Sequence, residues 1–194
     1  MNKPYSQACE NNKHPILAIL KNAFAQCSSV LEIGSGTGQH AVWFAQKLPF
    51  LKWYSSDQPQ YHEGINSWID EFGNANLQRP IAFTVGQDLF PSQRFDGVFT
   101  ANTAHIMQPD EVKIMLAQIA EALPSGGVFC QYGPFTQQGV FNSQSNEDFH
   151  HKLVAQGYGG YRDIDELIQW AEPLILCGIH PMPAHNLLLQ WRKN

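Results

Sequence analysis

Apolar positions recur along the chain in two rhythms, one helical and one extended, and the switches between them outline a fold. After a polar opening segment, PILAILKNAF sets Ile16, Ile19, Leu20, Ala23 and Phe24 on one helical face, with Pro15 suited to a first turn. SVLEI is a β-branched, apolar run that predicts a buried strand, and QHAVWFAQKL resumes the helical spacing. LKWYS is extended, YHEGINSWIDEFG is helical and closed by Gly73, and PIAFTV and FDGVFTA are extended again. In PDEVKIMLAQIAEAL, Val112, Met115, Leu116, Ile119 and Leu123 form one stripe, with Pro109 and two acids in the first turn. GGVFCQY predicts a fifth strand. DIDELIQWA opens on Asp163 as N-cap with Glu166 three residues on, a capping-box pairing. LILCG and NLLLQW, separated by HPMPAH, predict a C-terminal antiparallel hairpin.

Strands alternating with helices predict an α/β protein with a Rossmann-like, doubly wound, seven-stranded and mostly parallel sheet covered on both faces. No internal repeat or low-complexity linker interrupts residues 1–194, so one domain is expected, with an N-terminal arm over 1–14 and a lid or substrate insertion over 132–162. Such sheets bind ligands beyond the carboxyl ends of their strands, near the point where strand order reverses. The residues just after each strand are therefore the ones to read.

Composition acts on this picture mainly by exclusion. A 43% hydrophobic fraction with five Trp and twelve Phe describes a packed globule, not a disordered segment. The net charge of −5, without a Lys/Arg cluster, gives no indication of a nucleic-acid groove. Cys9, Cys27, Cys130 and Cys177 are scattered, and the eight His are dispersed apart from His150 and His151, so no metal site is expected. The opening MNKPYSQACENNK lacks the apolar core of a secretory signal, and no stretch approaches membrane-spanning length. A reduced, cytoplasmic protein is the expectation.

The chemistry begins after the first strand, in LEIGSGTGQH. Gly34, Gly36 and Gly38, alternating with Ser35 and Thr37, allow a tight turn, positive φ and close approach of backbone to a ligand. After the second strand, Asp57 in WYSSDQP can accept both hydroxyls of a ribose, or can close an Asx turn before Pro59. A dinucleotide fingerprint reads G-x-G-x-x-G, whereas this loop reads G-x-G-x-G after an acid, Glu32.

That form resembles the first motif of class I S-adenosylmethionine (SAM)-dependent methyltransferases. The resemblance assigns Glu32 to the methionine ammonium and the loop from Gly34 to Gly38 to the methionine part, with Asp57 and Gln58 at the ribose. A helix-cap role for Glu32 is the alternative. For adenine the resemblance offers Gln87, Asp88 and Leu89, or Thr84 by spacing from FDGVF. After the fourth strand, ANTAHI and the following L-x-P-x-G-G resemble the same pattern, with Asn102 and Ala104 beneath the cofactor. His105 faces the reacting centre as a base, or serves as an N-cap or packing histidine.

CENNKHPIL, LEIGSGTGQHAVWFA, WYSSDQP, ANTAHI, YGPFTQQGVFNSQSNEDF, YRD and MPAHN together resemble an uncharacterised methyltransferase-like family (domain of unknown function 938, methyltransferase-like protein 26 type) over nearly the whole chain. This chain departs from that family's usual residues with Asn11 for Arg, His150 for Asp and His185 for Asn. Tyr132, Phe135, Asn146 and Arg162 are the candidates for the acceptor side. For Tyr132 and Asn146 a lid-structural role is equally open, and for Arg162 the favoured role is holding the lid through a carboxylate. Asn12 and Lys13 either close over the cofactor or belong to an ordinary start of a helix.

The resemblance implies methyl transfer from SAM to a small-molecule acceptor, leaving S-adenosylhomocysteine (SAH), with His105 and Tyr132 as candidate catalytic residues. A non-catalytic SAM-binding or interaction module is the second reading. A nicotinamide-dependent reductase, disfavoured by the loop spacing, is the third.

Overall fold

The alternating pattern becomes one twisted sheet in the computed structural model, which describes residues 3–194. Strand order is β3 (Leu77–Ala82), β2 (Lys52–Asp57), β1 (Ser29–Ile33), β4 (Gly97–Ala101), β5 (Val128–Gly133), β9 (Leu187–Lys193) and β8 (Leu174–Pro181). β1 to β5 are parallel, and β9 runs antiparallel to both of its neighbours. The class expected from the sequence, a Rossmann-like α/β sheet of seven strands with a C-terminal hairpin, is the one observed. Strand order reverses between β1 and β4, which places the switch point beyond Ile33 and Ala101.

Period-two alternation sorts the central strands' side chains onto two faces. Leu31, Ile33, Val98 and Phe129 enter one apolar layer, closed by α4 (Pro109–Ala122) and α6 (Ile164–Trp170). Val30, Phe99, Val128 and Cys130 enter the other, closed by α1 (Gln7–Ala23) and α2 (Gln39–Lys47). At the centre of the second layer the fully buried rings of Phe44, Trp53 and Phe99 meet at centroid distances of 5.3 to 5.9 Å. Burying each such ring stabilises the fold by roughly 1.5–3 kcal/mol. The same alternation directs Glu32 toward this aromatic layer.

Several boundaries differ from the sequence reading; β8, for one, runs on to Pro181, through the first two residues of the expected HPMPAH turn. Helix α1 begins at Gln7, because Ser6 caps it by accepting from the Cys9 amide, so residues 7–14 of the expected arm are two helical turns and Pro15 lies inside the helix. Strand β3 runs Leu77–Ala82, not from Pro80 onward; it is an edge strand, and Pro80 falls where the ladder to β2 shifts register, so its missing N–H forfeits little. The polar stretch after Ser143 is helical, α5 (Gln144–Ala155), with only Asn146 and Leu153 buried, too few apolar positions to register as a periodic stripe. The predicted capping box of α6 is present: Asp163 accepts from the Asp165 amide at 3.0 Å and Glu166 from the Asp163 amide at 3.3 Å.

Candidate functional site

β1 hands over to α2 through residues 34–38, where Gly34, Gly36 and Gly38 have φ of +73°, +57° and +89°. The three glycines answer different needs. A Cβ on Gly34 would stand 2.6 Å from Thr103 Cγ2, and one on Gly38 would stand 3.0 Å from the Ile65 Cα, so these two let the loop seat against its neighbours. A Cβ on Gly36 would meet nothing within 4 Å. A cavity of about 560 Å³ opens there, bounded by Thr37, Gln60 and Tyr61. Of the three, Gly36 is the one that borders open space.

Parallel pairing of β1 with β2 carries Asp57 beside that loop. Its Oδ2 accepts from the Gly36 amide and its Oδ1 from the Gln58 amide, both at 2.7 Å. Burial pushes the Asp57 carboxyl above its usual range, against the pull of these two bonds. A carboxylate has about four lone-pair positions, so two remain for further donors. Ser35 and Thr37 brace the loop: Ser35 Oγ accepts from the Ser56 amide at 3.2 Å, and the Thr37 hydroxyl donates to Gln39 Oε1 at 3.1 Å.

Glu32 is 2% exposed. It accepts from Trp53 Nε1 at 3.0 Å, so its donor is an indole and not a helix terminus. Burial raises its carboxyl to about 7, opposed by the bonds from Trp53 and Ser35. None of the ion pairs among the described residues involves it. A buried acid without a counter-charge is a receptor for a cation or a proton.

Helix α1 is fastened across the start of α2. Gln39 Oε1 accepts from the Ser6 amide at 2.6 Å, and its Nε2 donates to Glu10 Oε1 at 2.9 Å. His40 Nε2 and Asn12 Oδ1 lie 2.7 Å apart, with burial lowering His40 to about 4. Lys13 pairs with Glu10 and sits over the Trp43 ring. Of the two arm candidates, Asn12 is turned inward against His40 and lines the cavity beyond β4 and β5, whereas Lys13 lies on Trp43.

The third-strand candidates stand apart from this cluster. Asp88 Oδ2 accepts from the Thr84 amide at 2.7 Å, closing its own turn, and Gln118 of α4 donates to the Asp88 carbonyl. Gln87 is exposed, as is Leu89 at 91%. Neither Thr84 nor Gln87, Asp88 or Leu89 lines either of the two cavities described here.

A second cavity, of about 540 Å³, lies beyond β4 and β5. Asn102, at φ +59°, turns the chain there and donates its amide to the Tyr132 carbonyl at 2.9 Å; asparagine tolerates that conformation better than most residues. Ala104 is buried in the core layer below, while His105 reaches the cavity wall. His105 is 7% exposed, its Nδ1 is buried without a hydrogen-bond partner, and burial lowers it to about 4. Tyr132 also lines the wall, its hydroxyl raised by burial against hydrogen bonds from Asn12 and Asn186.

The roof comes from the segment after β5. Asn146 of α5 donates to Asn142 Oδ1 at 2.7 Å and to the His185 carbonyl at 3.2 Å, tying the helix to the turn between β8 and β9. That turn holds Ala184 and His185 both at φ +57°, a strained arrangement of the sort found around ligand sites. Phe135 departs from the expected wall position. It is 1% exposed in the core, where its strand β6 (Phe135–Thr136) pairs with β7 (Arg162–Asp163), and Pro134 takes its place at the cavity. Arg162 does hold the roof, but through the carbonyls of Gly159 and Gly160 instead of a carboxylate.

Two cavity residues, Phe149 and Tyr161, escaped the sequence reading. For Tyr161 the signal was GYGGYRD. Gly160 has φ +77° and donates to the His105 carbonyl at 3.1 Å, and a Cβ on Gly159 would overlap the Met107 carbonyl at 1.9 Å. The glycine pair is what presses Tyr161 against His105, at 6.3 Å between rings.

A family model described as "Protein of unknown function (DUF938)" matches residues 3–193, and the chain belongs to that family. Solved structures with the same fold include an O-methyltransferase family protein from Burkholderia thailandensis (TM-score 0.81, 15% identity, 94% of this chain and 56% of that one). Human N-acetylserotonin methyltransferase in complex with SAM is similar at TM-score 0.82 and 14% identity, over 97% of this chain and 53% of that one. An O-methyltransferase family 2 protein from Planctomyces limnophilus, in complex with apigenin, has a TM-score of 0.76 and 17% identity over 95% and 62%. The chain spans little more than half the length of these proteins.

Proposed function

We propose that this DUF938 protein transfers a methyl group from SAM to a small-molecule acceptor and releases SAH. The observation that carries the reading is the joining of Gly36 to Asp57 at the switch point, an open backbone position hydrogen-bonded to a carboxylate with lone pairs to spare. The residues present fit the cofactor. Gly36 admits its backbone contact, Asp57 accepts from the ribose hydroxyls, and the unpaired carboxyl of Glu32 accepts the ammonium. Ser35, Thr37, Gly34 and Gly38 hold the loop in shape, Gln58 continues the ribose side, and Asn102 and Ala104 floor the site. Asp88, with Gln87 and Leu89, is proposed for the adenine rim, which requires that loop to fold inward. The likeness to the methyltransferase-like protein 26 type belongs to this proposal.

When bound, SAM supplies a methyl group on a good leaving group. The protein's part is alignment, exclusion of water and disposal of a proton. At pH 7 the buried His105 is a neutral, weakly basic imidazole. Such a base suits an acceptor proton that leaves as the new bond forms, and does not suit prior ionisation of an alcohol. Tyr132 and Asn146 orient the acceptor, and residues 132–162 act as the lid of a single domain. The four free thiols fit a reducing, cytoplasmic setting.

Calorimetry with SAM and SAH, followed by transfer of tritiated methyl groups into metabolite, protein and RNA pools, tests the proposal. Binding of both, with label entering metabolites, is expected. Binding without any transfer would make the protein a SAM-binding module, and NADH binding with none of SAM would make it a reductase.

A further inference from the structure

We infer that the cavity beyond β4 and β5 takes an uncharged acceptor, a flat compound bearing hydroxyl or amide groups, and excludes carboxylates, phosphates and ammonium groups. This rests on the acceptor side of the function proposed above, but it concerns the cavity's own chemistry. No Asp, Glu, Lys or Arg is among the described residues that line it. Its polar surface is made largely by five asparagines, Asn11, Asn12, Asn102, Asn146 and Asn186, whose amides both donate and accept.

The titratable groups on the wall are one histidine and two tyrosines, and burial keeps all three neutral near pH 7: His105 falls to about 4, Tyr161 rises to about 12, and Tyr132 rises as well. Two charges that neighbour wall residues in sequence, Arg162 and Glu10, are already engaged elsewhere. Arg162 donates to the Gly159 and Gly160 carbonyls, and Glu10 is held by Lys13 and Gln39. Without the donor, or with SAH and its uncharged sulfur in place, an ion in this cavity would lose water and gain no counter-charge from the wall, which is strongly unfavourable. A neutral donor or acceptor loses far less and finds amide partners.

The aromatic walls set the shape. Phe149, Tyr161 and His105 pack against one another with centroids 6.0 to 6.3 Å apart, forming one continuous aromatic face of the wall on which a flat ring can lie. His105 Nδ1 is closed off beside Gly133, 3.9 Å from where a Cβ would stand, which leaves Nε2 as the ring nitrogen for an incoming hydroxyl or amide.

Matched triplets test the inference: benzyl alcohols, the corresponding benzoates and the corresponding benzylamines, of equal size and substitution. Binding is read by saturation-transfer NMR against the full chain, with and without SAH. The neutral member of each triplet should bind at least about tenfold more tightly than either ion. Asn11→Arg, on an exposed position at the cavity rim, should narrow the gap to the benzoates severalfold and leave the benzylamines excluded. An ion binding the unaltered chain as well as its neutral counterpart, or no saturation transfer from any neutral member, overturns the inference. Because the NMR experiment without SAH does not involve the donor, failure of SAH to bind would count against the methyltransferase reading and leave this outcome separately readable.

Discussion

At the ends of β1 and β2 the candidate binding groups are backbone and two carboxyls; beyond β4 and β5 they are amides and rings drawn from several separate segments. The first region is local in sequence, covering residues 32–38 plus Asp57, and its geometry is set by glycines at positive φ. The second needs α1, the turns after β4 and β5, helix α5, Tyr161 and the β8–β9 turn to come together. One region carries charge in low-dielectric surroundings, while the other avoids charge. On the proposed function, the contrast separates two kinds of specificity: recognition of the common donor in a compact loop, and choice of acceptor in an assembled wall.

The sharpest way to break the comparison is at the loop itself. Gly34→Ala would set a methyl 2.6 Å from Thr103 Cγ2 at φ +73°, and should destabilise the protein by about 4 kcal/mol, seen as a large fall in urea midpoint. Next comes Glu32. Its folded-state value is about 7 against 4.5 for the free group, so the folded state keeps a proton that the unfolded state releases. Its contribution is full below pH 4.5 and is lost as pH rises through 7, a decline of roughly 3 kcal/mol. Glu32→Gln should remove that decline from urea titrations between pH 4.5 and 8. His40 and His105 act in the opposite sense in the same window, losing stability as pH falls from 6.5 toward 4, and should remain visible in the variant.

Gly36→Ala separates ligand from fold. Its Cβ meets no protein atom, so stability should fall by only about 1–2 kcal/mol from the positive φ, whereas SAH affinity should drop by about tenfold or more. A tenfold loss for Gly34→Ala but none for Gly36→Ala would assign the loop to packing alone. The smallest effect belongs to the roof: Asn146→Ala removes two side-chain bonds, one of them to the His185 carbonyl, and should cost about 1 kcal/mol while raising KM for the acceptor more than it lowers kcat.

Legibility in the sequence followed the same division. Alternating periodicity was enough for the sheet, since strands β1, β4 and β5 are short apolar runs between turn residues, and the Asp163–Glu166 capping box was readable three residues apart. Glu32, the glycine loop and Asp57 could be read because strand ends and loops are local. The cavity wall could not, because Tyr161 is an ordinary aromatic until Gly159 and Gly160 bring it to His105, and Phe149 belongs to a helix with little hydrophobic signature. Phe135 was assigned to the wall from its place after β5, yet pairing with Arg162 turns it into the core and leaves Pro134 outward. Helix α5 escaped for a different reason: a helix with two buried positions has almost no hydrophobic signature.

A crystal structure of the protein soaked with SAH tests the central claim most directly. The account predicts ribose hydroxyls hydrogen-bonded to Asp57, the amino-acid tail over Gly36 with its ammonium toward Glu32, and the sulfur facing the cavity beside His105. SAH bound with Asp57 untouched, or no SAH in a crystal soaked at saturating concentration, would contradict it.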